Sequence, residues 1–102
     1  MNWQRSTDKQ VLTTIAERLK EHRIRKRYTQ KELAEKSGVS LPSIQKIEQG
    51  KSVSLNIFLA VLRSLKLLDN LETLVPNISI SPIEILKQKG VKRQRVRKKN
   101  SK

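Results

Sequence analysis

Residues 29–51 have the sequence TQKELAEKSGVSLPSIQKIEQGK, in which helix-start and helix-stop signals alternate. Thr29 is an N-cap residue and Glu32 follows three positions later, which is the spacing of a capping box at the first turn of a helix. Gly38 stops this helix, because glycine readily adopts the positive φ that the residue after a helix often requires. These signals predict a short helix at about residues 30–36.

A second short helix is predicted directly after this glycine. Ser40 provides its N-cap, Pro42 stands in its first turn, where a missing N–H costs nothing, and Gly50 ends it. Its expected span is about residues 41–49. Two short helices joined by a tight glycine turn, the second with small polar residues at its start, are typical of a helix-turn-helix.

The segments on either side of this pair also carry apolar residues at helical spacing. A first helix begins at Asp8, and further helices are expected at about residues 55–66 and 67–75. Residues 78–80 have a β-like pattern, and another short helix is expected at about residues 82–89. The predicted fold is therefore all-α, a five-helix bundle followed by a short C-terminal helix and a basic tail.

Residues 29–51 closely resemble the Cro/CI-type (XRE) helix-turn-helix family of phage and bacterial repressors. The resemblance rests on the Thr-Gln start, Leu-Ala, the Gly-Val-Ser turn, Ile-x-x-Ile-Glu and Gly-Lys, and it extends over about residues 10–75. It implies a DNA-binding bundle whose third helix enters the major groove. We divide the chain into an N-terminal arm (1–7), a helix-turn-helix DNA-binding domain (8–75), an extension for dimerisation or partner binding (76–89) and a basic tail (90–102).

The resemblance also assigns roles to the residues at the start of the third helix. The base-reading positions are Leu41, Pro42, Ser43 and Lys46. Lys46 can donate to guanine O6 and N7, whereas Leu41 and Pro42 can make only apolar contacts, for example with a thymine methyl group. Some relatives carry amide side chains at both of these positions, where this chain has Leu41 and Pro42. Leu41 can alternatively be a partly buried residue at the start of the helix, with no role in base recognition.

Other positions are expected to hold phosphates or to hold the helices together. Phosphate contacts are expected from Gln30, Ser40, Gln49 and Lys51, the first because backbone N–H groups at a helix start also favour an anion. Arg23 aligns with a family arginine that pairs with the glutamate at Glu48, so we predict an ion pair that ties the first helix to the third. The remaining structural positions are the turn residue Gly38 and the apolar wedge of Leu33, Ala34, Val39, Ile44 and Ile47.

The composition favours a polyanionic partner and argues against catalysis. The chain of 102 residues carries 23 Lys and Arg against 9 Asp and Glu, a formal net charge of +14, and nucleic acid is the commonest polyanion. It has no cysteine and one histidine, His22, which leaves no ordinary metal-ligand cluster. Without a triad-like spacing or a phosphate-binding glycine loop, we expect no enzyme, no cofactor and no metal.

The apolar residues are concentrated in the second half of the chain. The longest apolar run, residues 57–62, is far shorter than the roughly 20 residues that span a bilayer, so we expect a cytoplasmic, nucleoid-associated protein with no membrane partner. More than half of the apolar residues lie within residues 53–86, which is more than the last helices need to close a bundle. The surplus, which includes Ile57 and Val61, predicts a homodimer interface, or else an extension of the monomer core.

A second, narrower resemblance concerns residues 74–90, LVPNISISPIEILKQKG, and the basic residues after them. The Ser-Pro-x-Glu-x-Leu pattern and the tail are similar to the C-terminal region of HipB-like antitoxins. This resemblance implies a dimer that binds inverted repeats of double-stranded operator DNA in its own promoter, represses that promoter and assembles with a HipA-type serine/threonine kinase toxin.

The tail and the overall function leave alternatives open. The tail cations are Lys92, Arg93, Arg95, Arg97, Lys98 and Lys99. They can follow phosphates beside the operator, dock on an acidic partner, or aid sliding along DNA. The alternatives to an antitoxin are a stand-alone phage or mobile-element repressor, an RNA- or ribosome-associated protein, which usually needs more aromatic residues, and a polybasic membrane-surface protein.

Overall fold

The computed structural model describes residues 1–78, and every regular element within them is helical. The predictions for the short helix at 82–89, for most of the β-like residues 78–80 and for the basic tail lie outside the described residues. The all-α prediction is confirmed. The α-helices are α1 (Asp8–Arg25), α2 (Gln30–Ser37), α3 (Leu41–Glu48), α4 (Leu55–Ser64) and α5 (Leu71–Leu74), and two 3₁₀ turns lie at Trp3–Arg5 and Leu68–Asn70.

Reciprocal capping fixes where α2 begins. The Glu32 backbone N–H donates to Thr29 Oγ1 at 3.0 Å, and the Thr29 backbone N–H donates to Glu32 Oε1 at 2.8 Å. Two of the helix's otherwise unpaired donors are thereby satisfied, as the sequence predicts. At the other end Gly38 has φ +71°, a left-handed conformation that turns the chain toward α3 within two residues.

Helix α3 starts and ends in the same manner. The Ser43 backbone N–H donates to Ser40 Oγ at 3.2 Å, Pro42 occupies the first turn, and Gly50 follows the helix with φ +76°. A Cβ atom on Gly50 would lie 3.6 Å from the backbone of Thr13, an ordinary van der Waals distance, so the positive φ and not a lack of space favours glycine here. The positions of α2 and α3 are therefore set by local signals at both of their ends.

The core lies where α1, α2, α3 and α4 meet within the compact unit Met1–Leu71. Leu33 and Ile44 are each only 1% exposed, and Val39 in the turn packs against the core cluster that contains them. The predicted wedge between the two short helices is confirmed. The other buried apolar side chains are Ala16, Leu19, Ala34, Ile47, Val61, Leu62 and Leu65.

For the region after α3, one prediction was wrong and another was confirmed with different bounds. Val61, expected among the surplus residues of an interface, is 1% exposed and belongs to the core. Ile57, expected in the same set, is half-buried and packs against that core. The helix expected over residues 67–75 is divided into a 3₁₀ turn and the short α5. Lys66, with φ +63°, and Leu67, with φ −109° and ψ 0°, leave helical geometry after α4, so the chain turns before these elements.

The N-terminal arm is structured rather than extended. Asn2 caps the first 3₁₀ turn, since its Oδ1 accepts from the Arg5 backbone N–H at 3.3 Å. The Arg18 guanidinium carbon lies 5.0 Å from the centroid of the Trp3 ring, which is a cation–π distance. The arm is thus attached to the outer face of α1.

The capping box of α2 gives a pH-dependent contribution to stability. The hydrogen bonds from the backbone N–H and the side chain of Thr29 lower the pKa of Glu32 from its ordinary value of 4.5. A lowered pKa contributes stability above pH 4.5 that is lost as the pH falls through the pKa of the folded state. We expect Glu32→Gln, which keeps a capping side chain, to have a lower urea midpoint than the wild type at pH 7 and to match it in acid. A constant difference across this range would contradict the expectation.

Candidate nucleic-acid interface

Helix α3 has one buried face and one exposed face. Ile44 and Ile47 point into the core and are 1% and 7% exposed. The exposed side chains stand four residues apart in two rows, so they share one side of the helix. They are Leu41, Pro42, Gln45, Lys46 and Gln49. This surface, called the α3 face below, combines apolar carbon at its N-terminal end with amide and ammonium donors farther along.

The structure brings three of the four predicted base-reading residues together on the α3 face. Leu41, Pro42 and Lys46 are exposed there, and Leu41 has 37% of its surface accessible. Ser43 is half-buried, and its hydroxyl lies 2.9 Å from that of Ser40. Ser43 therefore lies at the edge of the face with its hydroxyl engaged at the helix cap.

Gln45 is the exposed residue that the sequence analysis missed. It stands four residues after Leu41 and directly before Lys46, with its side chain exposed. A glutamine amide can donate to and accept from the N6 and N7 edge of adenine, which leucine and proline cannot do. Helical spacing from the buried Ile44 and Ile47 predicts that Gln45 is exposed. The comparison of single positions with a family pattern did not select it.

The four predicted phosphate-binding residues lie at the ends of α2 and α3. Ser40 caps α3, while Gln49 and Lys51 are exposed on either side of Gly50. Gln30 is half-buried at the first position of α2. The backbone N–H groups of Gln30 and Lys31 have no acceptor within the helix, because the first turn of any α-helix leaves its donors unpaired. Such a helix end favours an anion.

An almost buried ion pair fixes α3 to α1. Arg23 Nε donates to Glu48 Oε2 at 2.7 Å, and Nη2 donates to Oε1 at 3.2 Å, so the carboxylate is held at both oxygens. The two side chains are only 10% and 5% exposed. The third donor, Nη1, reaches the carbonyl oxygen of Tyr28 at 2.6 Å and so fixes the loop before α2. The predicted pair is confirmed. Its two charge-assisted hydrogen bonds fix the orientation of α3, and therefore of the α3 face, relative to α1.

Exposed cations surround this arrangement. Arg25, Lys26 and Arg27 follow one another at the end of α1, directly before the loop that leads to α2. Lys31 is exposed in the first turn of α2, and Lys51 follows α3. A positive surface next to exposed hydrogen-bond donors is the electrostatic pattern expected for binding a polyanion.

The described part of the chain also contains an open apolar groove of about 320 Å³ between α1, α4 and the loop after α3. Its walls include Leu12, Ile15, Val53 and Phe58. Within residues 1–78 no group of three metal-ligating side chains was found, and no helix there has the length and hydropathy needed to cross a membrane.

Comparison with protein-family models places a known domain type on this surface. Residues 19–67 match a family model described as Helix-turn-helix, and this range contains the end of α1, all of α2 to α4 and the loops between them. No curated protein matches the chain. The matched range includes the ion pair, the α2 start and the whole α3 face.

Proposed function

We propose that this protein is a sequence-specific repressor. Residues 19–67 match a helix-turn-helix family model, which supports a DNA-binding transcription regulator of the Cro/CI type. The observation that carries the proposal is the α3 face, an exposed donor-bearing side of a helix whose opposite side is buried. The major groove of B-DNA is wide enough for one α-helix, and base edges there present a distinct hydrogen-bonding pattern for each base pair.

Each part of the surface then has a physical task. Lys46 and Gln45 supply donors for base edges, and Leu41 and Pro42 supply carbon for thymine methyl groups. The ends of α2 and α3, with the cations nearby, bind phosphates and set the orientation of the domain on the duplex. Arg23 stays out of direct contact in this proposal, since all three of its donor nitrogens are engaged within the protein.

Selection from a random duplex library tests this proposal. We expect the full chain to enrich a defined DNA sequence, and to bind that duplex more tightly than both a shuffled duplex and an RNA duplex of the same sequence. A footprint on the chain's own promoter should cover the enriched sequence. Equal binding to all three probes would contradict sequence-specific recognition, and preference for the RNA would favour an RNA-associated protein.

Lys46 is expected to make the largest single contribution to base recognition. Its ammonium group lies on the α3 face, and loss of one good contact to a base edge costs about 1–3 kcal/mol. Lys46→Ala should weaken binding to the selected duplex by that amount and reduce discrimination at one guanine position, measured by fluorescence anisotropy. The matched control is Arg63→Ala, which removes an exposed cation from α4, outside the two short helices. Equal losses for both variants would mean that only net charge matters.

The repressor is proposed to act as a homodimer. A two-fold dimer presents two α3 helices to half-sites about one turn of DNA apart, which gives an inverted repeat. Apolar side chains after α4 remain exposed to support such an interface: Leu74, Val75 and Ile78 are 70%, 71% and 89% exposed. Sedimentation should show a dimer at micromolar concentration, and the selected DNA should contain an inverted repeat. A monomer that enriches single half-sites would contradict this part of the proposal.

An antitoxin role is the narrowest part of the proposal. Support comes from the likeness of residues 74–90 and the basic tail to HipB-like antitoxins. The protein would then repress its own operon in the cytoplasm and bind a HipA-type kinase. Affinity purification of the native protein, with identification of the proteins that accompany it, should recover a kinase in a fixed ratio. Recovery of operator DNA without a kinase would favour a stand-alone phage or mobile-element repressor.

A further inference from the structure

The carboxylate of Glu48 holds a second side chain besides Arg23. Gln30 Nε2 donates to Glu48 Oε1 at 3.0 Å, and the same oxygen accepts from Arg23 Nη2 at 3.2 Å. One carboxylate at the end of α3 therefore links the end of α1 to the first residue of α2. This hydrogen bond joins two residues 18 positions apart, which otherwise belong to different helices.

Gln30 keeps one hydrogen-bond donor on its side chain after this contact. An amide NH₂ group has two N–H bonds, and Glu48 takes only one of them. The orientation of the amide is set because its nitrogen is held against the carboxylate. The backbone N–H of Gln30 is also unpaired within the helix, as the first residue of α2. One residue thus offers two donors at a helix start, one of them fixed by Glu48.

We propose that Glu48 is a positioning residue for DNA binding, which fixes the Gln30 amide so that its remaining N–H donates to a backbone phosphate together with the α2 start. The inference rests on the proposed DNA binding and specifies which residue orients the Gln30 amide toward the phosphate. Besides holding α1 to α3, Arg23 neutralises the charge of the Glu48 carboxylate, which would otherwise repel the nearby phosphate. Gln30 itself carries no charge, so the contact adds affinity without releasing a counterion.

The alternative is that Glu48 only holds the helices together and Gln30 binds phosphate independently of it. The two interpretations differ in whether the effect of changing Gln30 depends on the ion pair. A double-mutant cycle measures such dependence directly, because independent sites give additive free energies and coupled sites do not.

The experiment measures binding of the full chain to a short mixed-sequence DNA duplex, since a phosphate contact contributes to every sequence. Gln30→Ala should weaken binding about tenfold, the effect of one hydrogen bond to a charged group, and should leave the slope of affinity against salt unchanged. The same substitution is then made in the Arg23→Met/Glu48→Leu background. Apolar replacement of both partners of a buried pair commonly preserves the fold, and circular dichroism confirms this before binding is measured.

In the Arg23→Met/Glu48→Leu background, the Gln30 amide no longer has the Glu48 carboxylate to hold it. We expect the pair replacement alone to weaken duplex binding about tenfold, and Gln30→Ala to cost less than about twofold more. A full tenfold cost of Gln30→Ala in both backgrounds would overturn the positioning role, and so would no cost in the wild type. Absence of duplex binding by the wild-type protein would instead refute the proposed function, so the two failures are distinguishable.

Discussion

Arg23→Met is expected to lower the free energy of unfolding by about 3–5 kcal/mol, the cost of removing one partner from a buried ion pair. The substitution leaves the Glu48 carboxylate, with a side chain 5% exposed, without the two donors that now hold its oxygens. It also removes the donor to the Tyr28 carbonyl oxygen. A typical domain has only roughly 5–15 kcal/mol of total stability, so a large part of it depends on this single guanidinium.

Urea denaturation followed by circular dichroism measures this loss, and the same helix supplies a control. Arg25→Met removes an exposed cation two residues away and should change stability by no more than about 0.5 kcal/mol. Adding Glu48→Leu to Arg23→Met should recover most of the loss, because no unpaired buried charge then remains. A loss below about 1 kcal/mol for Arg23→Met would show that the pair is solvated and contributes little.

The ion pair also illustrates which long-range contacts a sequence can predict. Arg23 and Glu48 are 25 residues apart, and no periodicity connects them. The pair was predictable only because both positions match a family pattern. The third donor contact, to the carbonyl oxygen of Tyr28, and the hydrogen bond from Gln30 were not anticipated. They depend on the path of the loop before α2, which the sequence does not specify by itself.

Local signals predicted α2 and α3 to within a residue or two because each cap is formed by neighbours in the chain. The Thr29–Glu32 capping box and the positive φ at Gly38 need no tertiary contact. The end of α4, expected near residue 66 and observed at Ser64, carries no comparable glycine or proline signal. Lys66 adopts φ +63°, a conformation that lysine rarely takes, so neither a glycine nor a proline marks the end of the helix.

Faces were harder to predict than helices. Helix α4 is apolar on nearly all sides, so its sequence does not identify which side is inward, and Val61 was placed on the wrong one. The opposite holds for α3, where Ile44 and Ile47 are the apolar pair that fixes the buried side. Gln45 could have been found from that pair. The domain limits proposed from the sequence stay a prediction.

Removal of residues 90–102 is expected to produce the largest change in DNA binding of any single alteration. This segment contains no acidic residue and seven cations: Lys92, Arg93, Arg95, Arg97, Lys98, Lys99 and Lys102. Each phosphate contact that is lost lowers the slope of log affinity against log salt by about 0.9. If most of these cations contact phosphates, affinity at low salt should fall by orders of magnitude, and the slope should become flatter by several units.

The control keeps the length of the chain and changes only its charge. Replacing all seven cations by glutamine should reproduce the deletion. Shuffling the order of residues 90–102 should leave binding nearly unchanged, because phosphate neutralisation depends on charge and not on sequence. The Gln30→Ala variant supplies the opposite case, a loss of affinity at constant slope. An unchanged slope for the deletion would exclude phosphate contacts by the tail and would leave an acidic protein surface as the alternative partner.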